Sequence, residues 1–214
     1  MKIAFGFASR IPLGLAYFVT ASVAAGLTRF EGGVAMFWIA TGLLIADLIC
    51  RPRRQWLRSL LVCAVASFLA TGLLGLGWKL AGPFVVINVV EAVVAAWLFR
   101  RQGFSRQALG SLEWLVQFIF CAAVVAPLIV AFLAAGIMSQ AGFVAGNVFL
   151  QLFAGHALGN LIVTPLALLV SAGKFRAAPL AALRRRAIEG ILLFAAVAAS
   201  AYWVFVRLPL PLLF

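Results

Sequence analysis

"WLVQFIFCAAVVAPLIVAFLAAG", residues 114–136, runs for 23 positions without a charged side chain. About 18 apolar residues suffice for a helix to cross the hydrocarbon core of a bilayer, so this run reads as a membrane span. The absence of Asp, Glu, Lys and Arg continues to residue 173, which places a second span in the same 60-residue stretch (114–173). Outward from there, the same criterion predicts seven spans at about 11–29, 33–50, 59–78, 83–99, 114–136, 147–171 and 188–207. Alternating ten-residue strands, the mark of a transmembrane barrel, do not occur. Composition agrees: 66% of the residues are hydrophobic, 10% are charged and the mean hydropathy is +1.17. A soluble domain of this length does not need so much apolar surface, and the fold class read from the sequence is an all-α polytopic transmembrane bundle.

The net charge of +12 could suggest a nucleic-acid partner, but its distribution points to a membrane. Lys2, Arg10, Arg51, Arg53, Arg54, Arg58, Arg100, Arg101, Arg106, Lys174, Arg176, Arg184, Arg185 and Arg186, 14 of the 17 basic residues, fall on one side of the predicted spans. Only Arg29, Lys79 and Arg207 fall on the other. Basic residues collect in cytoplasmic loops, so the N-terminus and the loops 51–58, 100–111 and 172–187 are assigned to the cytoplasm. The expected setting is the bacterial inner membrane, and the basic loops suit its anionic surface rather than nucleic acid. The N-terminus also has features of a signal peptide, but its apolar run is long enough to span and is read as an uncleaved first helix.

The three cysteines, Cys50, Cys63 and Cys121, lie in or beside spans without metal-ligand spacing and read as small packing residues. Neither a phosphate-binding loop nor a dinucleotide fingerprint is present, so no cofactor is expected. Asp47 stands one turn before Arg51 and reads as an ion pair at a helix end. Glu113 and Glu189 open predicted helices, where the helix dipole favours them. Gly155 with Gly159, and Gly72 with Gly75, are expected close-packing positions between helices. Pro165 is expected to kink its helix and free a carbonyl near Leu161.

Polar groups inside spans are costly and each needs a partner. Asn88 and Glu91 are three apart on one helix face; His156, Asn160 and Thr164, spaced by four, share another. Glu91 and the single histidine, His156, each lie about eight or nine residues from the outer ends of their spans, about 13 Å at 1.5 Å per residue. Both therefore sit near the midplane. His156 and Asn160 are expected to face Asn88 and Glu91 across the bundle, with Trp38 and Thr41 lining the same place. Two readings stay open for this group: interhelical hydrogen bonds, or a polar site for a small ligand or a proton. Catalysis is disfavoured because Glu91 has no second acid beside it, and neither a nucleophile at helical spacing nor a metal-ligand cluster accompanies it.

The order of these motifs resembles the type-one membrane-associated sensor (MASE) domain of bacterial signalling proteins. "FWIATGLLIADLI" (37–49) matches that family's second-helix turn through Trp38 and Gly42. Asn88, Glu91, Arg100 and Arg101 match its asparagine-x-x-glutamate helix with a basic end. "GHALGNLIVTPL" (155–166) matches a later helix through Gly155, Ala157, Leu158, Gly159, Thr164, Pro165 and Leu166. Ile39 stands where the family usually has proline, and His156 where it usually has aspartate. The second change sets an acid–base pair opposite Glu91 where the family would have two acids.

The resemblance implies a signal-input domain over residues 11–214, regulating a cytoplasmic output such as a diguanylate cyclase, a phosphodiesterase or a histidine kinase. No enzymatic domain is expected within the chain itself. The ending "VRLPLPLLF" reads as the approach to an eighth helix, so the 214 residues are expected to be a truncated gene product or an excised domain. The rival reading is a small-solute transporter or its substrate-capture subunit. A retinal photoreceptor is excluded because Lys2, Lys79 and Lys174 all lie at or outside helix ends. The expected partners are the lipid bilayer and an unidentified small molecule or membrane protein; a homodimer is left open, and nucleic acid is not expected.

Overall fold

The computed structural model describes residues 11–27, 37–103, 111–171 and position 195. The chain divides into two units, Met1–Ala172 and Gly173–Phe214, and the architecture below is that of the first. Position 195 apart, the expected span 188–207 lies outside the described residues, as do the loop 172–187, the start of an eighth helix and Glu189.

All regular structure among the described residues is helical. The elements are α1 (Ile11–Leu27), α2 (Ala40–Cys50), a short 3-10 turn (Arg53–Gln55), α3 (Trp56–Leu74), α4 (Trp78–Arg101), α5 (Leu112–Phe118), α6 (Ala126–Gln140) and α7 (Ala145–Ser171). A π-helical segment, Ile119–Val125, joins α5 to α6, so that Leu112–Gln140 forms one helix with a wider turn inside it. Four helices, Arg53–Leu74, Trp78–Arg101, Leu112–Gln140 and Ala145–Ser171, are long and apolar enough to cross a membrane. α1 and α2 are shorter apolar helices.

α2 departs most from expectation. A span was expected over 33–50, yet Phe37–Ile39 are not helical and the helix begins at Ala40. Eleven residues rise about 16 Å, roughly half a bilayer core. Non-helical backbone at such depth survives only where protein covers it. Here the Trp38 N–H donates to the Gly155 carbonyl of α7 at 3.3 Å. One turn on, a Cβ built on Gly159 would stand 2.0 Å from the Trp38 carbonyl oxygen, so the two backbones meet where α7 has no side chain. Apolar periodicity could not reveal this, because residues 37–39 are as hydrophobic as the helix they precede.

The helices are sorted by size of side chain. α1 exposes Ile11, Leu15, Val19 and Val23, and buries Tyr17, Ala21, Ala24 and Ala25. α3 exposes Leu57, Leu61, Val65 and Leu73, while Ser59, Cys63, Ala66, Ser67, Ala70 and Thr71 face inward. Lipid tails are as apolar as leucine, so large aliphatic groups gain nothing by leaving them. Small and polar groups gain close contact and hydrogen bonds by facing protein. Cys63 and Cys121 are buried in this way and Cys50 is half-buried.

The end carrying the arginines is tied together by polar contacts. The Arg100 guanidinium donates to the carbonyls of Leu48 and Ile49, both at 3.4 Å, and of Arg51. The Leu48 and Ile49 carbonyls belong to the last turn of α2 and the Arg51 carbonyl to its C-cap, where helical donors run out. The Trp56 indole N–H donates to the Leu48 carbonyl at 2.9 Å. Asp47 meets Arg51 at 2.5 Å, as its spacing predicts, and also accepts from the Ser59 hydroxyl at 2.6 Å. Glu113 lies in the first turn of α5, whose N-cap Ser111 accepts from the Trp114 N–H. Gly72 fits its expected role, since a Cβ there would enter the Trp78 ring at 2.3 Å. Gly75 instead caps α3, where a Cβ would meet the Thr71 carbonyl of its own helix at 2.9 Å.

Candidate functional site

Glu91 sits near the middle of α4 with no solvent exposure, and His156 and Asn160 sit one turn apart near the middle of α7 with 2% and 0%. A carboxyl group so placed must find donors, because hydrocarbon offers none. His156 Nδ1 stands 2.5 Å from Glu91 Oε2. With Glu91 ionised the carboxylate only accepts, so Nδ1 carries the hydrogen between them. The Asn160 amide Nδ2 donates to Glu91 Oε1 at 2.8 Å, so both carboxylate oxygens are held by one face of α7.

Trp38 stands next to the imidazole, its ring nearly parallel to that of His156, at 6.1 Å between centroids and 17° between planes. The Trp38 indole N–H donates to the Thr41 hydroxyl at 3.0 Å, which fixes the ring beside the histidine. Thr164 completes the seam by donating to the Gly42 carbonyl at 3.1 Å. Thus Glu91, His156, Asn160, Trp38 and Thr41 come together as their spacing suggests. Asn88 does not join them. Its Nδ2 donates to the Ser67 hydroxyl of α3 at 2.9 Å, and its Oδ1 is buried without a partner. Sharing a helix face with Glu91 gives Asn88 a direction but does not choose its neighbour, and α3 is the helix it meets.

The sequence also left the other partner of Asn160 unseen. The same Nδ2 donates, at 2.8 Å, to the Ala122 carbonyl in the π segment. In that register the Ala126 N–H bonds five residues back, to the Cys121 carbonyl. The next such donor would serve Ala122, but residue 127 is proline and has no N–H. Asn160 supplies the missing hydrogen. Pro127 was the available signal, because proline inside a span leaves an upstream carbonyl needing a donor. Tyr17, fully buried in α1, brings its phenol beside Thr41 and Ser67 and adds α1 to the surroundings.

Chemically, the arrangement can share a proton between acid and base and can fix the orientation of both. Among the described residues no group of three His, Cys, Asp or Glu side chains is placed to hold a metal ion. A cavity of about 350 Å³ lies elsewhere, between α6 and α7, lined by Phe132, Gly136, Ser139, Gly146 and Phe149 among others. Its hydroxyl, on Ser139, already donates to the Gly136 carbonyl, so it offers little to orient a polar ligand.

The family model MASE1 matches residues 10–214. The chain belongs to the MASE1 family. It is therefore a membrane-associated sensory domain, and the apolar helices are those of a transmembrane signal-transduction protein. Comparison with curated proteins and with solved structures gives no match.

Proposed function

We propose that this MASE1 chain is the signal-input domain for a cytoplasmic output, fused or associated, of the diguanylate cyclase, phosphodiesterase or histidine kinase kind. The stimulus is received at the junction of Glu91, His156 and Asn160, with Trp38 and Thr41 as its wall and Asn88 as the link to α3. One observation carries this reading: a fully buried carboxylate is bonded by two side chains of another helix at 2.5 and 2.8 Å, one of them titratable. A pair serving only as packing could be replaced as a whole by apolar residues at little cost, since buried ion pairs are weak sources of stability.

The domain extends over 11–214, since the family match runs across both units, and carries no catalysis of its own. It lies in the bacterial inner membrane with its N-terminus in the cytoplasm. An odd number of crossings, as in the seven spans expected from the sequence, needs one further helix to reach a cytoplasmic output. An unidentified ligand or membrane protein supplies the stimulus, and a second copy of the chain is a further candidate partner.

The test joins the chain, through one further transmembrane helix, to a diguanylate cyclase module and reads cyclic dinucleotide in cells. Glu91→Gln should change the output while the protein remains folded and inserted. Unchanged output from a folded variant would refute the reading. Orientation is checked separately: a single cysteine at position 106 should stay unreactive to an impermeant thiol reagent added outside.

A further inference from the structure

The π segment and the Glu91 carboxylate share one amide nitrogen. Asn160 Nδ2 has two hydrogens; one goes to Glu91 Oε1 and the other to the Ala122 carbonyl, both at 2.8 Å. The choice of register at Ile119–Val125 follows from who serves Ala122. In the π register the Ala126 N–H bonds the Cys121 carbonyl, Pro127 has nothing to give, and Ala122 depends on Asn160. In an ordinary α register the Ala126 N–H would serve Ala122 itself, four residues back, so Asn160 would not be needed there, and Pro127 would leave the Ala123 carbonyl open instead.

We infer that Asn160 is a positioning residue which holds the α5–α6 helix in its π register for as long as Glu91 anchors its amide. The inference rests on the sensory reading of this same site. Loss of the carboxylate charge, or displacement of the carboxylate by a ligand, frees the Asn160 side chain. Ala122 then loses its donor, the Ala126 N–H moves from Cys121 to Ala122, and the wide turn closes. Removing one residue from a wide turn rotates α5 relative to α6 by about 100° and shifts it by about 1.5 Å along the axis.

α5 is suited to carry such a movement. It packs through Trp114 and Phe118, which stack at 5.3 Å and meet Phe99 of α4 edge-on at 5.9 and 6.2 Å. These are apolar contacts without a fixed hydrogen-bond register. The Trp114 indole N–H is buried without a partner, so no hydrogen bond from it resists rotation. Phe99 lies next to Arg100, which grips the end of α2. A change at the midplane therefore reaches the arginine end through α5 and α4.

The experiment uses the whole 214-residue chain in lipid nanodiscs, with 13C-carbonyl cysteine and 15N-alanine. Only two peptide bonds then carry both labels, Cys121–Ala122 in the π segment and Cys63–Ala64 in α3. Glu91→Gln should move the Cys121–Ala122 signal by more than the Cys63–Ala64 signal. Asn160→Ala should move it to the same position, and Glu91→Gln on that background should add nothing. Pro127→Ala, which restores a backbone donor, should make the signal insensitive to Glu91. The inference is overturned if Glu91→Gln leaves the Cys121–Ala122 signal in place, or moves it equally without Asn160. If Asn160→Ala does not fold, the Glu91→Gln and Pro127→Ala comparison decides alone. The sensory reading fails separately, by an unchanged output in cells.

Discussion

Among the described residues, two acids meet a side chain able to carry positive charge. Asp47 meets Arg51 four residues along the same chain, at 2.5 Å, with side-chain exposures of 12% and 22%. Glu91 meets His156 at the same 2.5 Å, but across two helices and with exposures of 0% and 3%. The distances are equal and the physics differs. At the arginine end the pair is partly exposed, Asp47 also accepts from Ser59, and Arg51 is the C-cap of α2. At the midplane each partner is the other's main escape from an apolar surrounding, so removing one strands the other. The comparison teaches that separation from solvent and from sequence neighbours, rather than distance, distinguishes a coupled site from a helix-end contact.

The largest expected effect falls on the backbone contact that brings α7 to the wall of the site. Gly159→Ala places a Cβ 2.0 Å from the Trp38 carbonyl oxygen, and neither backbone has room to yield. A loss above about 3 kcal/mol is expected, beyond the usual cost of overpacking. Thermal unfolding in detergent should show it; a melting curve like that of wild type would mean that α2 and α7 do not touch there.

Next comes His156→Leu. It leaves the Glu91 carboxylate buried with Asn160 as its remaining bonded side chain, which costs about 3–5 kcal/mol. Glu91→Gln should cost less, because its amide oxygen can still accept from His156, only the Asn160 bond is lost, and no charge is left to bury. Denaturant titration of both variants checks the order, and the reverse order would break the contrast drawn above.

Asn160→Ala removes the donor to Glu91 and to Ala122 together and should cost about 1–2 kcal/mol. The smallest effect is expected at the arginine end, where Asp47→Asn should cost about 0.5–1 kcal/mol. If Asp47→Asn proves as damaging as His156→Leu, the two regions are not different in kind.

The sequence made some of this architecture visible for definite reasons. The charge-free stretch 114–173 could only be two spans and their connection, and the structure places α5–α6 and α7 there. Glu91 and His156 could be paired because their depths match and lipid leaves each without another partner. The break before α2 was hidden, since Phe37, Trp38 and Ile39 are apolar whether helical or not. The π segment was hidden because its register is chosen by a donor on another helix; Pro127 marked the place and Asn160 the answer, 33 residues apart in sequence. Asn88 turned to Ser67 because α3 is the neighbour it meets, a fact of packing that helical spacing does not encode.

The central claim is that Glu91 and His156 act as one unit that sets the signalling state. The most direct measurement is the output of the cyclase fusion for Glu91→Gln, His156→Gln and the double variant, each checked for insertion and folding. The account predicts that either single change shifts the output and that the double variant goes no further than the singles. Asp47→Asn, at the same 2.5 Å from its own partner, should leave the output as it is. Independent, additive shifts from the two midplane changes, or an output that moves only when folding is lost, would contradict it.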